Sequence, residues 1–98
     1  MQINDKITII IVLYNSTDLI FDCLKSLKKF KIIIVDNGKS SKQIEKIKKN
    51  QNIKIISKNK NLGFGNAINF AFEFIKKDFF LILNPDIKID EDAILGLF

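Results

Sequence analysis

Ile7-Thr8-Ile9-Ile10-Ile11-Val12-Leu13 decides the fold. A nearly unbroken run of Ile, Val and Leu suits a strand buried on both faces, as in a parallel sheet covered by helices. Lys31-Ile32-Ile33-Ile34-Val35 repeats the pattern. Ile53–Ser57 and Phe79–Leu83 are two further apolar runs of strand length.

Segments of helical period separate these runs. Residues 17–29 put Ile20, Cys23, Leu24 and Leu27 on one stripe, with Ser16 or Thr17 as the expected N-cap. Residues 40–50 carry Ile44 and Ile47 among lysines. Residues 65–77 group Ile68, Ala71, Phe72 and Ile75, with Phe70 and Phe74 further round, so this helix is expected to be covered on more than one side. A last helix is expected to start near Asp90. The order β-α-β-α-β-α-β implies an α/β fold: an open, mostly parallel sheet with flanking helices and right-handed crossovers.

Composition narrows the function. The chain has 98 residues, enough for one small domain. Its net charge is +5, yet every basic residue is Lys and the lysines are scattered, which reads as a solvated surface rather than a nucleic-acid interface. The missing Arg also argues against bidentate guanine readout. Without His and with a single Cys, a zinc site is excluded. Cys23 lies on the apolar stripe of the first helix and reads as core. No signal peptide is apparent, since Asp5 and Lys6 interrupt the start. The run Ile7–Leu13 is too short to span a bilayer. The expected setting is cytoplasmic, and peripheral association with the inner face of the membrane is compatible with it.

In open sheets of this kind, ligands bind beyond the carboxyl ends of the strands. Polar clusters stand at those ends: Tyr14-Asn15-Ser16, Asp36-Asn37-Gly38, Asn59-Lys60-Asn61-Leu62-Gly63-Phe64-Gly65 and Asn84-Pro85-Asp86. Taken singly, each reads equally well as turn chemistry. Together they suit a nucleoside diphosphate. Tyr14 can stack on a base, and Asp36 and Asn37 can hydrogen-bond a pyrimidine edge or a ribose. Gly63 and Gly65 allow close backbone approach, and the helix start carrying Asn66 and Asn69 favours negative charge. Asp86 offers one hard oxygen for Mg²⁺ or Mn²⁺ beside phosphate oxygens. No G-x-G-x-x-G or G-x-x-x-x-G-K-[ST] motif is completed.

In this order and spacing the motifs resemble family 2 glycosyltransferases over nearly the whole chain. Ile9–Asn15 resembles the family's opening strand, and Ile34-Val35-Asp36-Asn37-Gly38 its second-strand signature. Asn61-Leu62-Gly63-Phe64-Gly65-Asn66-Ala67-Ile68-Asn69 resembles its N-x-G-F-x-x-A-x-N segment. Leu83-Asn84-Pro85-Asp86 resembles the L-N-P-D variant of its D-x-D motif. The resemblance implies a GT-A fold and inverting transfer of a sugar from a nucleotide diphosphate to a hydroxyl of a saccharide or lipid-linked acceptor, in cell-surface polysaccharide synthesis. It implies base and ribose contacts at Tyr14, Asp36 and Asn37. Asn15, Asn61, Gly63, Gly65, Asn69 and Asn84 complete the expected donor-binding set. It implies a divalent metal held through Asp86.

The N-x-G-F and L-N-P-D pair looks most like rhamnosyltransferase-type members, which use dTDP-rhamnose. Two positions depart from the pattern: Lys39 stands where Ser is frequent, and Asn84 replaces the first Asp of D-x-D. In the family the acceptor half and its general base lie downstream of the metal motif. Residues 1–98 therefore read as the donor-binding part alone, with Asp90, Glu91 and Asp92 as first-turn helix acids. The competing reading is a non-catalytic nucleotide-binding remnant or interaction module.

Overall fold

The computed structural model describes residues 6–50, 52–76, 79–86 and 91–97. Four strands form one sheet: β1 (Ile7–Leu13), β2 (Lys31–Asp36), β3 (Ile53–Ile56) and β4 (Phe79–Leu83). Four helices alternate with them: α1 (Leu19–Lys25), α2 (Ser41–Ile47), α3 (Phe64–Phe72) and α4 (Glu91–Leu95). The strand order is β3-β2-β1-β4, and every pairing is parallel. The α/β architecture with a parallel sheet and flanking helices is the one expected.

The unbroken Ile run of β1 is explained by its place. It lies between β2 and β4, and all of its residues but the half-buried Val12 are buried. Ile7, Ile9, Ile11 and Leu13 pack with Ile32 and Ile34 of β2 under Ile20, Cys23, Ile44, Ile47 and Ile94 from α1, α2 and α4. Ile10, Ile33, Val35 and Ile56 face Ala67, Ile68 and Ala71 of α3. Fully burying an Ile side chain stabilises by about 1.5–3 kcal/mol, so these two layers are the main source of stability. The outer strands are less covered: Phe79, Phe80 and Ile82 of β4 are exposed.

The helices are shorter than their periodicity implied. After Lys25, Ser26 and Leu27 donate backbone hydrogen bonds to the carbonyls of Cys23 and Leu24, and Phe30 donates to Leu27, so the chain tightens into turns before β2. The N-cap position of α1 is held by Asp18, not by Ser16 or Thr17. The Ser16 hydroxyl is taken by Ser40 at 2.9 Å, and the Asp18 carboxylate accepts from Gln43 of α2 at 3.1 Å. The expected α3 stripe is also revised. Phe72 is exposed, its ring edge-on to Phe80 at 4.9 Å between centroids. Only the sheet side of α3 is buried; Phe70 and Phe74 are covered by the ammonium groups of Lys58 and Lys54 at 4.8 and 4.6 Å. Lys77, at the expected helix end, and Asp90, at the expected start of the last helix, lie outside the described residues.

Candidate functional site

The ends of β1, β2 and β3 border a cavity of about 430 Å³, lined by Tyr14, Asp36, Asn37, Gly38, Lys39, Ser57, Asn59, Lys60 and Asn61. Parallel pairing puts all three carboxyl ends on one edge. Val12 is in register with Val35 and Leu13 with Asp36, so Tyr14 and Asn37 leave the sheet side by side.

Local backbone conformation keeps the cavity open. Asn15, Lys39 and Asn59 have φ of 50°, 59° and 60°, and Gly38 has φ of 114°. Asn tolerates this left-handed region better than most side chains. Lys39 has no such excuse, and its strain is concentrated at the cavity wall. The turn after β2 is closed by Asp36, whose Oδ1 accepts the N–H of Gly38 at 2.9 Å. The Asn15 N–H donates to the carbonyl of Gly38 at 3.0 Å, and the Asn37 N–H donates to that of Leu13 at 2.8 Å. Ser40 Oγ accepts from the Ser16 N–H at 3.0 Å, locking the two turns together.

Tyr14 is 46% exposed, so its ring is available to a ligand. Gly38 lies against the ring edge: a methyl group there would sit 3.9 Å from Cδ1 and Cε1. Lys39 Nζ stands 5.5 Å from the ring centroid. The cavity thus combines a planar aromatic, one carboxylate, and the cations Lys39 and Lys60.

The expected residues divide into three groups. Tyr14, Asp36, Asn37 and Asn61 share the cavity. Asn37 is nevertheless only 3% exposed. Its Nδ2 donates to the carbonyl of Gly63 at 3.3 Å, and its Oδ1 accepts from the N–H of Leu62 at 3.3 Å, so its amide tethers the β3–α3 loop. Asn15 contributes a turn beside the cavity. Gly63, with φ of 76°, is the N-cap position of α3, and the Asn61 side chain accepts its N–H at 2.8 Å. No other chain atom lies within 4 Å of a side chain built at Gly63 or Gly65, so their surroundings are open. Asn69 belongs to a separate depression of about 260 Å³ with Lys58, Leu62, Asn66, Phe70 and Glu73.

Asn84 and Asp86 stand across β1 from the cavity. Leu83 is in register with Ile11, so Asp86 and Tyr14 are each three residues beyond that pair. Asn84 Oδ1 accepts the N–H of Asp86 at 3.0 Å, leaving the exposed Asp86 carboxylate free of this turn. Among the described residues, no group of three or more Cys, Asp or Glu side chains is gathered for a metal. The Cys23 thiol is pushed above its ordinary pKa of 9.0, first by burial and then by the negative charge of Asp86. Lys39, Ser57, Asn59 and Lys60 also line the cavity. Their positions directly after β2 and β3 were the available signal, masked by how often such residues simply make turns.

The model of the glycosyl transferase family 2 matches residues 8–98. The chain belongs to this family, and its sheet is consistent with the GT-A fold. It is 35% identical over 92% of its length to a teichoic acid poly(glycerol phosphate) polymerase of Staphylococcus epidermidis, covering 14% of that protein. It is 32% identical over 91% of its length to a poly-beta-1,6-N-acetyl-D-glucosamine synthase of Staphylococcus aureus, covering 24% of that protein. The chain therefore spans less than a quarter of the length of these relatives. No helix among the described residues is long and apolar enough to cross a membrane.

Proposed function

We propose that this chain supplies the donor-binding part of a glycosyltransferase that builds a cell-surface polysaccharide. The observation that carries the reading is the cavity at the carboxyl edge, which the half-exposed Tyr14 ring shares with Asp36, Lys39 and Lys60. Tyr14 stacks on a pyrimidine. Asp36 accepts a hydrogen bond from the base or ribose, and Lys39 and Lys60 attract the diphosphate. Asn37 and Asn61 act by holding the loop that forms the far wall.

Asp86 fits a divalent cation in the sense that its carboxylate is exposed and its turn is closed by Asn84. A single protein carboxylate suffices where phosphate oxygens complete the shell, since Mg²⁺ is commonly held by one or two carboxylates plus substrate. Such a cation would offset the negative charge developing on the leaving diphosphate. An acceptor hydroxyl attacks the anomeric carbon from the opposite face, with inversion. Its proton passes to a general base, which the family resemblance leads one to expect downstream of Asp86.

The motif pair favours dTDP-rhamnose as donor, whereas N-acetyl-D-glucosamine is the alternative sugar suggested by the name of the synthase relative. Calorimetric titration with dTDP and UDP, with and without Mn²⁺, separates these. The expected result is metal-dependent binding of one of them, weakened at least tenfold by Asp86→Ala in the presence of Mn²⁺ alone. Equal binding by the Asp86→Ala form would remove the metal role. Asp36→Asn keeps an acceptor oxygen for the Gly38 N–H and tests the Asp36 charge apart from its turn.

A further inference from the structure

A second cavity lies at the opposite end of the sheet. It measures about 350 Å³ and is lined by Thr8, Lys31, Ile32, Ile33, Asn52, Ile53, Lys54, Phe74 and Lys76. Asp36 and Lys31 are the two ends of β2, about 16 Å apart at the usual rise per residue. This cavity is therefore separate from the one beside Tyr14.

Its origin is in the fold. Thr8 is in register with Lys31, and Ile33 with Lys54, so these side chains share the face of the sheet that α3 covers. The last helical residue of α3 is Phe72, and the following turn carries Phe74 and Lys76 over the rim. Lys54 is held there by its contact with the Phe74 ring, 4.6 Å from Nζ to centroid.

Three ammonium groups thus border one cavity, and among the described residues no carboxylate lines it. Among the described residues none of the three is ion-paired. Thr8 is only 4% exposed, and its hydroxyl has no hydrogen-bond partner among the described residues. Like charges gathered without a counterion repel each other, and a buried hydroxyl without a partner is destabilising. One anion in the cavity relieves both.

We propose that this cavity is a binding site for a phosphate group, remote from the sugar donor. Lys binds phosphate as a point charge, so three ammonium groups around one cavity suit its multiple negative charge. Thr8 and Asn52 supply hydrogen bonds, and Ile33 and Phe74, on the α3 side of the sheet, flank the organic part of a phosphate ester. The phosphate is carried either by a soluble ester or by an anionic lipid headgroup.

The test follows backbone amide resonances of the full chain during titration with inorganic phosphate. A parallel arm measures sedimentation with phosphatidylglycerol and with phosphatidylcholine vesicles. Expected are saturable shifts at Thr8, Lys31, Lys54 and Lys76, with affinity lowered at least tenfold in the Lys31→Ala/Lys54→Ala/Lys76→Ala form. All three lysines are exposed, so that form retains the fold. Thr8→Val tests the hydroxyl at nearly constant shape and is expected to weaken binding severalfold. Binding to phosphatidylglycerol vesicles alone, lost in the triple-alanine form, assigns the phosphate to lipid. Shifts confined to residues around Tyr14 and Asn61, or equal binding by the triple-alanine form, overturn the proposal.

Discussion

Asn37 holds Gly63: the side-chain amide at the end of β2 donates to the carbonyl at the start of α3 at 3.3 Å, joining segments 26 residues apart. The same side chain accepts from the N–H of Leu62. One buried amide therefore ties the end of β2 to Leu62 and Gly63, where the loop enters α3.

Truncating Asn37 to Ala is expected to lower stability by about 1–3 kcal/mol, because the Leu62 N–H and Gly63 carbonyl lose their partner. Urea denaturation reads the change. Nucleotide affinity should fall with it, although the side chain is buried. A variant of unchanged midpoint would show that the loop is held by other contacts.

Gly63 and Gly65 should respond with opposite signs. Gly63 has φ of 76° at the N-cap of α3, where an added Cβ meets no steric obstacle. With ψ of 166° this conformation is nearly confined to glycine, so Gly63→Ala isolates backbone strain, about 1–3 kcal/mol. Gly65 is inside the helix with open space around it, so Gly65→Ala is expected to stabilise by about 0.5–1 kcal/mol. Thermal unfolding of the two variants makes the comparison, and a matching sign would contradict it.

Alkaline pH should destabilise the fold through Cys23. Burial raises the folded thiol above 9.0, with a further push from Asp86. Below the unfolded value both states carry the proton and the contribution is constant. As pH rises past about 9, the unfolded thiol ionises first, so stability falls until the folded pKa is passed. Cys23→Ala should flatten this part of the stability profile, whatever its cost at neutral pH from the cavity it leaves. An unchanged slope between pH 8 and 10 would assign the loss to other groups.

Tyr14→Ala should weaken nucleoside diphosphate binding about tenfold, since stacking of a base on an aromatic ring contributes ~1–3 kcal/mol. Tyr14→Phe should retain most of the affinity, because the ring is what stacks. Replacing Lys39 by Ala should matter more at low ionic strength than at high, as the charge is exposed and screened by salt. Equal losses for the Phe and Ala forms would place the Tyr14 hydroxyl, and not its ring, in contact with ligand.

The strand positions and their alternation with helices were legible because Ile and Val runs report burial directly. The neighbour relations were not: periodicity in Phe79–Leu83 says nothing about pairing with β1 instead of β3. Helix ends were overextended where apolar residues continue into turns, as at Leu27 and Phe74. Within the site, Tyr14, Asp36 and Asn61 line one cavity, a convergence that follows from parallel strand ends. The structural task of Asn37 was hidden because its burial depends on where residues 62 and 63 return. Asn69 was drawn in by motif position, yet the turn of α3 carries it to another depression.

The strand order has a consequence for how the chain is made. Among the four described strands β1 precedes the others in the chain, but one of its two neighbours, β4, follows them all. Until Phe79–Leu83 has emerged, one edge of the most apolar strand remains unsatisfied, open to pairing with any other nascent chain. Nascent chains halted before residue 79 should accordingly self-associate more than those halted beyond residue 95. The central position that makes β1 the best-buried strand of the finished fold also makes it the one exposed longest during synthesis.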